Sequence, residues 1–212
     1  MAKGLTLVIF TRYPQLGQTK TRMIPELGAA GALALHQDLT VHTLKTARTL
    51  QAQLDCHVEI HFHGGNHRAM ATWLGEEGHQ VYRRQIDGDL GIKMNHAFGT
   101  TLRDRGDRTI IIGTDCPSLT VEILISGFTA LEHHDGVLGP AWDGGYYLIG
   151  LQQPQPELFC GIAWGTEQVK QQTLAIVTQL NLNFALLEPL PDIDRPTDLP
   201  IWEQIKTTLE DV

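Results

Sequence analysis

An α/β fold with a largely parallel open sheet is what the sequence predicts, on three observations. Short apolar runs of strand length alternate with segments whose apolar residues recur every three or four positions. The run LTLVIF (5–10) is apolar almost throughout, the pattern of a strand covered on both faces. The chain has 212 residues, 42% hydrophobic and 19% charged, with no internal repeat and no low-complexity linker. That composition suffices to bury one core, so residues 1–212 read as a single domain.

The elements follow in order. MAKGLTLVIF leads into the first strand, and residues 31–54 form a long helix in which Leu35, Leu39, His42, Thr46 and Leu50 recur at steps of three and four. HVEIHFH (57–63) alternates strictly, with Val58, Ile60 and Phe62 on one face. A short helix over 66–74, a strand over 79–84 and a helix over 89–105 come next. TIIIG (109–113) is a strand, 121–132 a helix, and 136–141 and 145–151 are strands. A helix over 166–180, a strand over 183–188 and a closing helix over 195–209 complete the alternation, with QQPQPE (152–157) the one Pro/Gln-rich patch.

Charge and composition exclude several function classes. The formal charge is −8 with ten histidines neutral, and no Lys/Arg block occurs. A nucleic-acid partner is not expected, because phosphate-backbone binding needs a basic footprint. Small anionic ligands need only a few local cations and stay open. Cys56, Cys116 and Cys160 match neither a disulfide framework nor zinc spacing. No apolar stretch approaches the roughly 20 residues of a membrane span, and the first residues lack a signal-peptide cleavage pattern. A reducing, cytoplasmic setting is expected.

The segment RTIIIGTDCPSL (108–119) ends an apolar strand on a carboxylate, Asp115, and Pro117 forbids its continuation. In open parallel sheets, ligands bind beyond the carboxyl ends of the strands. A carboxylate there suits Mg²⁺ or Mn²⁺, which take hard oxygen ligands and complete their shells with substrate phosphates. A turn cap is the plainer alternative. LPDIDRPTDL (190–199) supplies Asp192, Asp194 and Asp198; Thr197 or Asp198 can start the last helix, leaving Asp194 without an evident local duty.

The loop TRYPQLGQTKTRM carries Arg12, Lys20 and Arg22 around Gly17, where a phosphate could meet backbone N–H groups and cations. It is neither a Walker A nor a G-x-G-x-x-G loop, and a solvated basic surface is the alternative. In GPAWDGGYYLIG (139–150), Asp143-Gly144-Gly145 fits a hairpin turn that either holds the hairpin alone or faces a substrate. Tyr146 and Tyr147 then point to opposite faces, one buried and one towards a cleft. Trp164 suits a stacking platform or the core equally. His61 and His63 share a strand face without a third ligand, which fits a polar face better than a metal site.

Taken together, FTRYPQLGQTKTRM, GDLGIKMNHAF, IIIGTDCPSLT, GPAWDGGYYLIGL, GIAWGTEQVKQQT and LPDIDRPTDL resemble the DUF2064 family over nearly the whole chain. That family includes glycosyltransferases associated by name with arsenosugar biosynthesis. Through it the chain resembles the GT-A nucleotide-diphospho-sugar transferase superfamily, which also holds nucleotidyltransferases. The resemblance implies a three-layer α/β/α sandwich on a mostly parallel mixed sheet, with a nucleotide in the amino-terminal half and Mg²⁺ or Mn²⁺. It implies Asp115 and Asp194 as metal ligands, Lys20 and Arg22 on phosphates, and Gln85, Gly88 and Gly91 beside base and ribose. Asp143 and Gly144 fall on the acceptor side.

The first loop lacks the paired glycines of nucleotidyltransferases. A metal-dependent glycosyltransferase taking a nucleotide sugar and a small-molecule acceptor is therefore the first expectation. A nucleotidyltransferase taking an NTP and a phosphorylated small molecule is second, and a non-catalytic nucleotide-sugar binder is third. Asp143 is the candidate base for the acceptor hydroxyl. Asp115→Ala is expected to abolish turnover and leave the fold nearly intact.

Overall fold

The computed structural model describes residues 4–75, 80–105 and 108–210. Its strands are β1 (Leu5–Arg12), β2 (Cys56–His63), β3 (Val81–Arg84), β4 (Arg108–Ile112), β5 (Gly136–Pro140), β6 (Tyr146–Leu151) and β7 (Phe184–Leu186). The helices are α1 (Ile24–Gln53), α2 (His67–Leu74), α3 (Leu90–Arg105), α4 (Val121–Ala130), α5 (Val169–Gln179) and α6 (Leu199–Glu210). All seven strands join one mixed sheet in the order β3-β2-β1-β4-β6-β5-β7. The pairs β1–β2, β1–β4, β2–β3 and β5–β7 are parallel, while β6 runs antiparallel between β4 and β5.

Alternation along β1 shows why the sheet is covered on both faces. Leu7 and Ile9 join a core with Leu44, Ala47 and Leu50 of α1, Met70 of α2 and Leu124 of α4. Val8, between them, joins Met94 and Phe98 of α3 and Val177 of α5 on the other face. A third cluster seats Trp202 of α6 against Ala32, Leu35 and Leu39 of α1. The three layers are thus helix, sheet and helix, the α/β class the sequence predicts.

Boundaries shift for physical reasons. α1 begins at Ile24, well before the expected position 31, with Pro25 in its first turn. Gly28, at φ 68 and ψ 169, breaks the helical path between that turn and the main helix. The buried stripe passes through Thr43 and Ala47 rather than His42 and Thr46. Thr40 and Thr43 can line a buried face because their hydroxyls donate to the carbonyls of His36 and Leu39. The closing helix starts with a tight turn over Pro196–Asp198 before α6. His79 of the expected 79–84 strand and residues 1–3 lie outside the described residues.

The second face of β2 carries polar residues into the interior. His61 belongs to no exposed polar face: Glu59 and His61 are buried, with Glu59 Oε2 2.9 Å from His61 Nε2 and 2.7 Å from Arg83 Nε of β3. Burial would push the Glu59 carboxyl up, but the hydrogen bonds and charges of His61 and Arg83 outweigh it and hold the pKa down at about 2. Among the described residues no helix is long and apolar enough to cross a membrane.

Candidate active site

Strand order locates the site. From β1 the chain moves outward through β2 to β3, then returns to the other side of β1 as β4. Connections leaving the carboxyl ends of β1 and β4 therefore diverge, and such a switch point opens a crevice. A cleft of about 600 Å³ lies there, lined by Arg12, Lys20, Arg22, Gln85, Asp115 and Asp194, among others.

Three segments remote in sequence are stitched together at its floor. The Ile193 amide donates to the Asp115 carbonyl at 2.8 Å. The Lys20 ammonium lies 2.8 Å from Asp115 Oδ1 and also donates to the Ile193 carbonyl. Arg22 pairs with Asp194. Asp198 accepts from the amides of Asp194 and Arg195 at 3.0 and 2.7 Å. It is thereby committed to the turn, as the sequence suggested, and Asp194 meets Arg22.

Lys20 sits in the left-handed region at φ 47, unusual for a residue with a Cβ. Its side chain is 4% exposed and that of Asp115 is 50% exposed. The local strain aims the ammonium inward, where it links the loops after β1 and β4. Removing the Asp115 carboxylate would leave the buried ammonium with the Ile193 carbonyl and no counter-charge, so Asp115→Ala carries a stability cost beside the expected loss of turnover.

Neighbouring groups hold the first loop in shape. Arg12 donates to the Gln18 carbonyl at 3.0 Å, and Gly17, at φ 73, closes the turn over residues 15–18 without lining the cleft. His36 of α1 is buried with Nε2 2.8 Å from the Arg12 carbonyl, so Nε2 carries the proton. Burial holds the His36 pKa below its ordinary value, against the backbone bond and Asp115. The Gln85 side chain donates to the His61 carbonyl at 3.0 Å, and its other face meets the cleft.

The expected glycines divide. Gly88 and Gly91 do not line the cleft. A Cβ on Gly88 would come within 2.8 Å of Ile92, and one on Gly91 within 2.7 Å of the Phe159 carbonyl and of Trp164 Nε1. Both are occupied with protein packing. The hairpin turn does form, with Asp143 Oδ1 accepting from the Gly145 amide at 2.7 Å and Gly144 at φ 89. A Cβ on Gly144 would fall on the Glu167 carbonyl, so what this glycine admits is the chain's own backbone. Tyr147 joins the core, while Tyr146 packs edge-on against Trp164 at 6.4 Å on the other face. Trp164 both packs and lines a cavity with Asp115, Asp143 and Asp192.

That cavity links the cleft to a third hollow, of about 560 Å³, at Trp142, Asp143, Asp192, Asp194 and Asp198. The trough is electrically lopsided. Towards β1 to β3 it sets Arg12, Lys20, Arg22 and Lys93 against Asp115 and Asp194, and towards the β5–β6 turn carboxylates outnumber Arg22 and Arg195. Burial, then Asp143, and further on Asp194 and Asp198 push the Asp192 carboxyl up to about 6. Burial also pushes the Cys116 thiol far up, with Asp115 adding to it, which leaves that sulfur inert as a nucleophile.

His63, His36, Lys93, Trp142 and Asp192 also line the trough. For His63 the signal was strand parity opposite Val58, Ile60 and Phe62. For Trp142 no local signal sets it apart from the other three tryptophans.

Among the described residues, no group of three or more His, Cys, Asp or Glu side chains is placed to hold a metal ion. An all-protein cage is therefore not what the residues fit. Two partly exposed carboxylates, Asp115 and Asp194, fit the hard-oxygen, substrate-completed coordination of Mg²⁺ or Mn²⁺.

A family model described as uncharacterized protein conserved in bacteria, DUF2064, matches residues 46–166. No functionally curated protein matches the chain. A Desulfovibrio desulfuricans G20 structure, described as a candidate nucleotide-diphospho-sugar transferase, is 30% identical with a TM-score of 0.82, covering 92% of this chain and 84% of that one. The 4-diphosphocytidyl-2C-methyl-D-erythritol synthase of Anaerococcus prevotii DSM 20548 shares the fold at 9% identity and a TM-score of 0.63, covering 98% and 96%. A manganese complex of Rv0371c from Mycobacterium tuberculosis H37Rv shares it at 15% identity and a TM-score of 0.55, covering 97% and 98%. With a family model over residues 46–166 and a 30%-identical structure along 92% of its length, the chain belongs to the DUF2064 family and has the nucleotide-diphospho-sugar transferase fold.

Proposed function

We propose that residues 1–212 act as one domain that transfers a glycosyl group from a nucleotide sugar to a small-molecule acceptor, with Mg²⁺ or Mn²⁺. The observation that carries this reading is the meeting of Lys20 and Arg22 with Asp115 and Asp194 at the β1/β4 switch point. In this reading Arg12, Lys20 and Arg22 bind the diphosphate, and Gln85 faces the base and ribose end of the cleft. Lys20 and Arg22 stabilise charge that builds on the leaving phosphate, an effect worth roughly a hundred- to thousandfold in rate per group. Asp115 and Asp194 would hold the divalent cation, which supplies further neutralisation of that charge. Asp143, on the acceptor side of the trough, is the proposed base for the acceptor hydroxyl.

Nucleotidyl transfer is the second reading, supported by the fold shared with a 4-diphosphocytidyl-2C-methyl-D-erythritol synthase. Two incubations decide between them. A nucleotide sugar with Mn²⁺ and acceptor should release nucleoside diphosphate, and an NTP with a sugar phosphate should not release pyrophosphate. Pyrophosphate release alone would move the assignment to nucleotidyl transfer. Metal-independent thermal stabilisation by nucleotides without any turnover would make the protein a non-catalytic binder.

A further inference from the structure

We propose, building on the reading that the basic cleft takes the nucleotide, that the hollow around Trp142 is the acceptor site and selects an unphosphorylated, polyhydroxylated ring compound of the sugar class. Trp142 is 68% exposed, the most exposed large apolar side chain among the described residues. An indole left in water at the wall of a 560 Å³ hollow has the size and character of a binding platform.

Its backbone is braced. The Trp142 amide donates to the Leu190 carbonyl at 3.1 Å, the Ala141 amide to the Gly145 carbonyl at 3.1 Å, and the Lys170 amide to the Gly144 carbonyl at 2.9 Å. The absence of a side chain at Gly144 lets the Glu167 backbone close against the turn. The ring is therefore presented by a fixed support.

The chemistry around the ring specifies the ligand class. Asp143, Glu167, Asp192, Asp194 and Asp198 line the hollow, against two guanidiniums, Arg22 and Arg195. Arg22 is already engaged by Asp194. An aromatic face beside carboxylates accepts the C–H face of a sugar ring and the O–H donors around its edge. A phosphate dianion entering the same hollow meets a field of its own sign. The basic half of the trough offers the opposite field, so one molecule can hold a diphosphate at one end and reject it at the other. Shared walls at Asp143, Asp192 and Asp194 connect the hollow to the cavity at Asp115.

The test is isothermal titration of the whole protein with a panel of methyl pentosides and hexosides, each paired with its sugar monophosphate. At least one methyl glycoside should bind saturably and at least tenfold more tightly than its phosphate. Trp142→Ala should abolish that binding. Glu167→Lys, a change of two charges facing a dianion, should shift the preference towards the phosphate by about a hundredfold, taking about threefold per pair of unit charges at roughly 6 Å in water. Equal or tighter binding of the phosphates, full binding by Trp142→Ala, or no binding by any glycoside would each overturn the assignment. Thermal stabilisation by a nucleoside diphosphate with Mn²⁺ is measured on the same proteins and should survive Trp142→Ala. Its absence from the unmodified protein would overturn the donor reading instead.

Discussion

Replacing Lys20 by alanine and by glycine separates two things the residue does. Both changes remove an ammonium that lies 2.8 Å from Asp115 Oδ1 and also reaches the Ile193 carbonyl. Only glycine also removes the Cβ from a backbone held at φ 47. Two unit charges 2.8 Å apart attract by about 1.5 kcal/mol at the dielectric of water and about 6 kcal/mol at an effective value of 20. Asp115 is half exposed, so water screens the pair and the lower part of that bracket applies. A loss of about 2 kcal/mol is expected for Lys20→Ala, or about 4–8 °C in Tm for a chain of this size. Relief of the left-handed Cβ recovers about 1–2 kcal/mol in the glycine variant, less about 0.5–1 kcal/mol for the extra freedom of an unfolded glycine. Lys20→Gly should therefore be the more stable of the two by about 0.5–1 kcal/mol, an inversion of the usual order.

Urea unfolding followed by circular dichroism reads this difference directly. In turnover the two variants should be equally impaired, about a hundred- to thousandfold, because neither carries the charge that the proposed donor site sets against the phosphates. A glycine variant less stable than the alanine one would refute the strained-backbone argument. Unchanged stability and turnover in both would refute the bridge itself.

Other expectations follow from the same contacts. Asp115→Asn keeps an oxygen for the Lys20 ammonium, so it should cost less stability than Asp115→Ala while losing turnover about a hundred- to thousandfold; equal unfolding free energies for the two would contradict this. Glu59→Gln should destabilise the protein by about 3 kcal/mol near neutral pH. The Glu59 carboxyl is held below its unfolded value, so its contribution is complete above pH 4.5 and fades as the pH falls towards about 2; the gap between the proteins in urea should close over that window. Gly144→Ala places a Cβ on the Glu167 carbonyl at φ 89 and should cost about 2–4 kcal/mol, read from the unfolding midpoint.

Much of the fold was legible because each strand carries its own instructions. LTLVIF and TIIIG are apolar on both faces and became β1 and β4, the two strands that flank the switch point. Helix positions were legible to within about a turn except at the start of α1, which lies at Ile24 and not 31, and the face a helix buries was legible only in part. The stripe on α1 is the clearest case. Threonines at 40 and 43 look polar in sequence, but each hydroxyl finds a carbonyl four residues back and can be buried. The even side of β2 was read correctly from its apolar residues. Its odd side is polar as read, but its burial was not legible, because Glu59 and His61 are neutralised by each other and by Arg83 from the next strand. No local period reports a partner 24 residues away.

The site shows the same division more sharply. Lys20, Arg22, Asp115 and Asp194 could be picked out singly, each as a charge at a strand end or in a loop without a structural duty. Their meeting depends on pairs 95 and 172 residues apart in sequence, and only the strand order brings those loops to one crevice. Glycines misled for a related reason. A glycine reports that something approaches the backbone closely, and sequence cannot say whether the visitor is a ligand or the chain itself. At Gly91 it is Trp164 and the Phe159 carbonyl, and at Gly144 it is Glu167. Exposed aromatics err in the opposite direction: Trp142 was available in the sequence as one of four tryptophans, yet nothing local distinguished it from the buried Trp202. What separates them is that Trp202 has α1 to pack against, whereas Trp142 stands on a turn whose neighbours are carboxylates and solvent. Side chains left without an apolar partner by the finished fold are the ones a sequence conceals best, and they are where a ligand has the most apolar surface to gain.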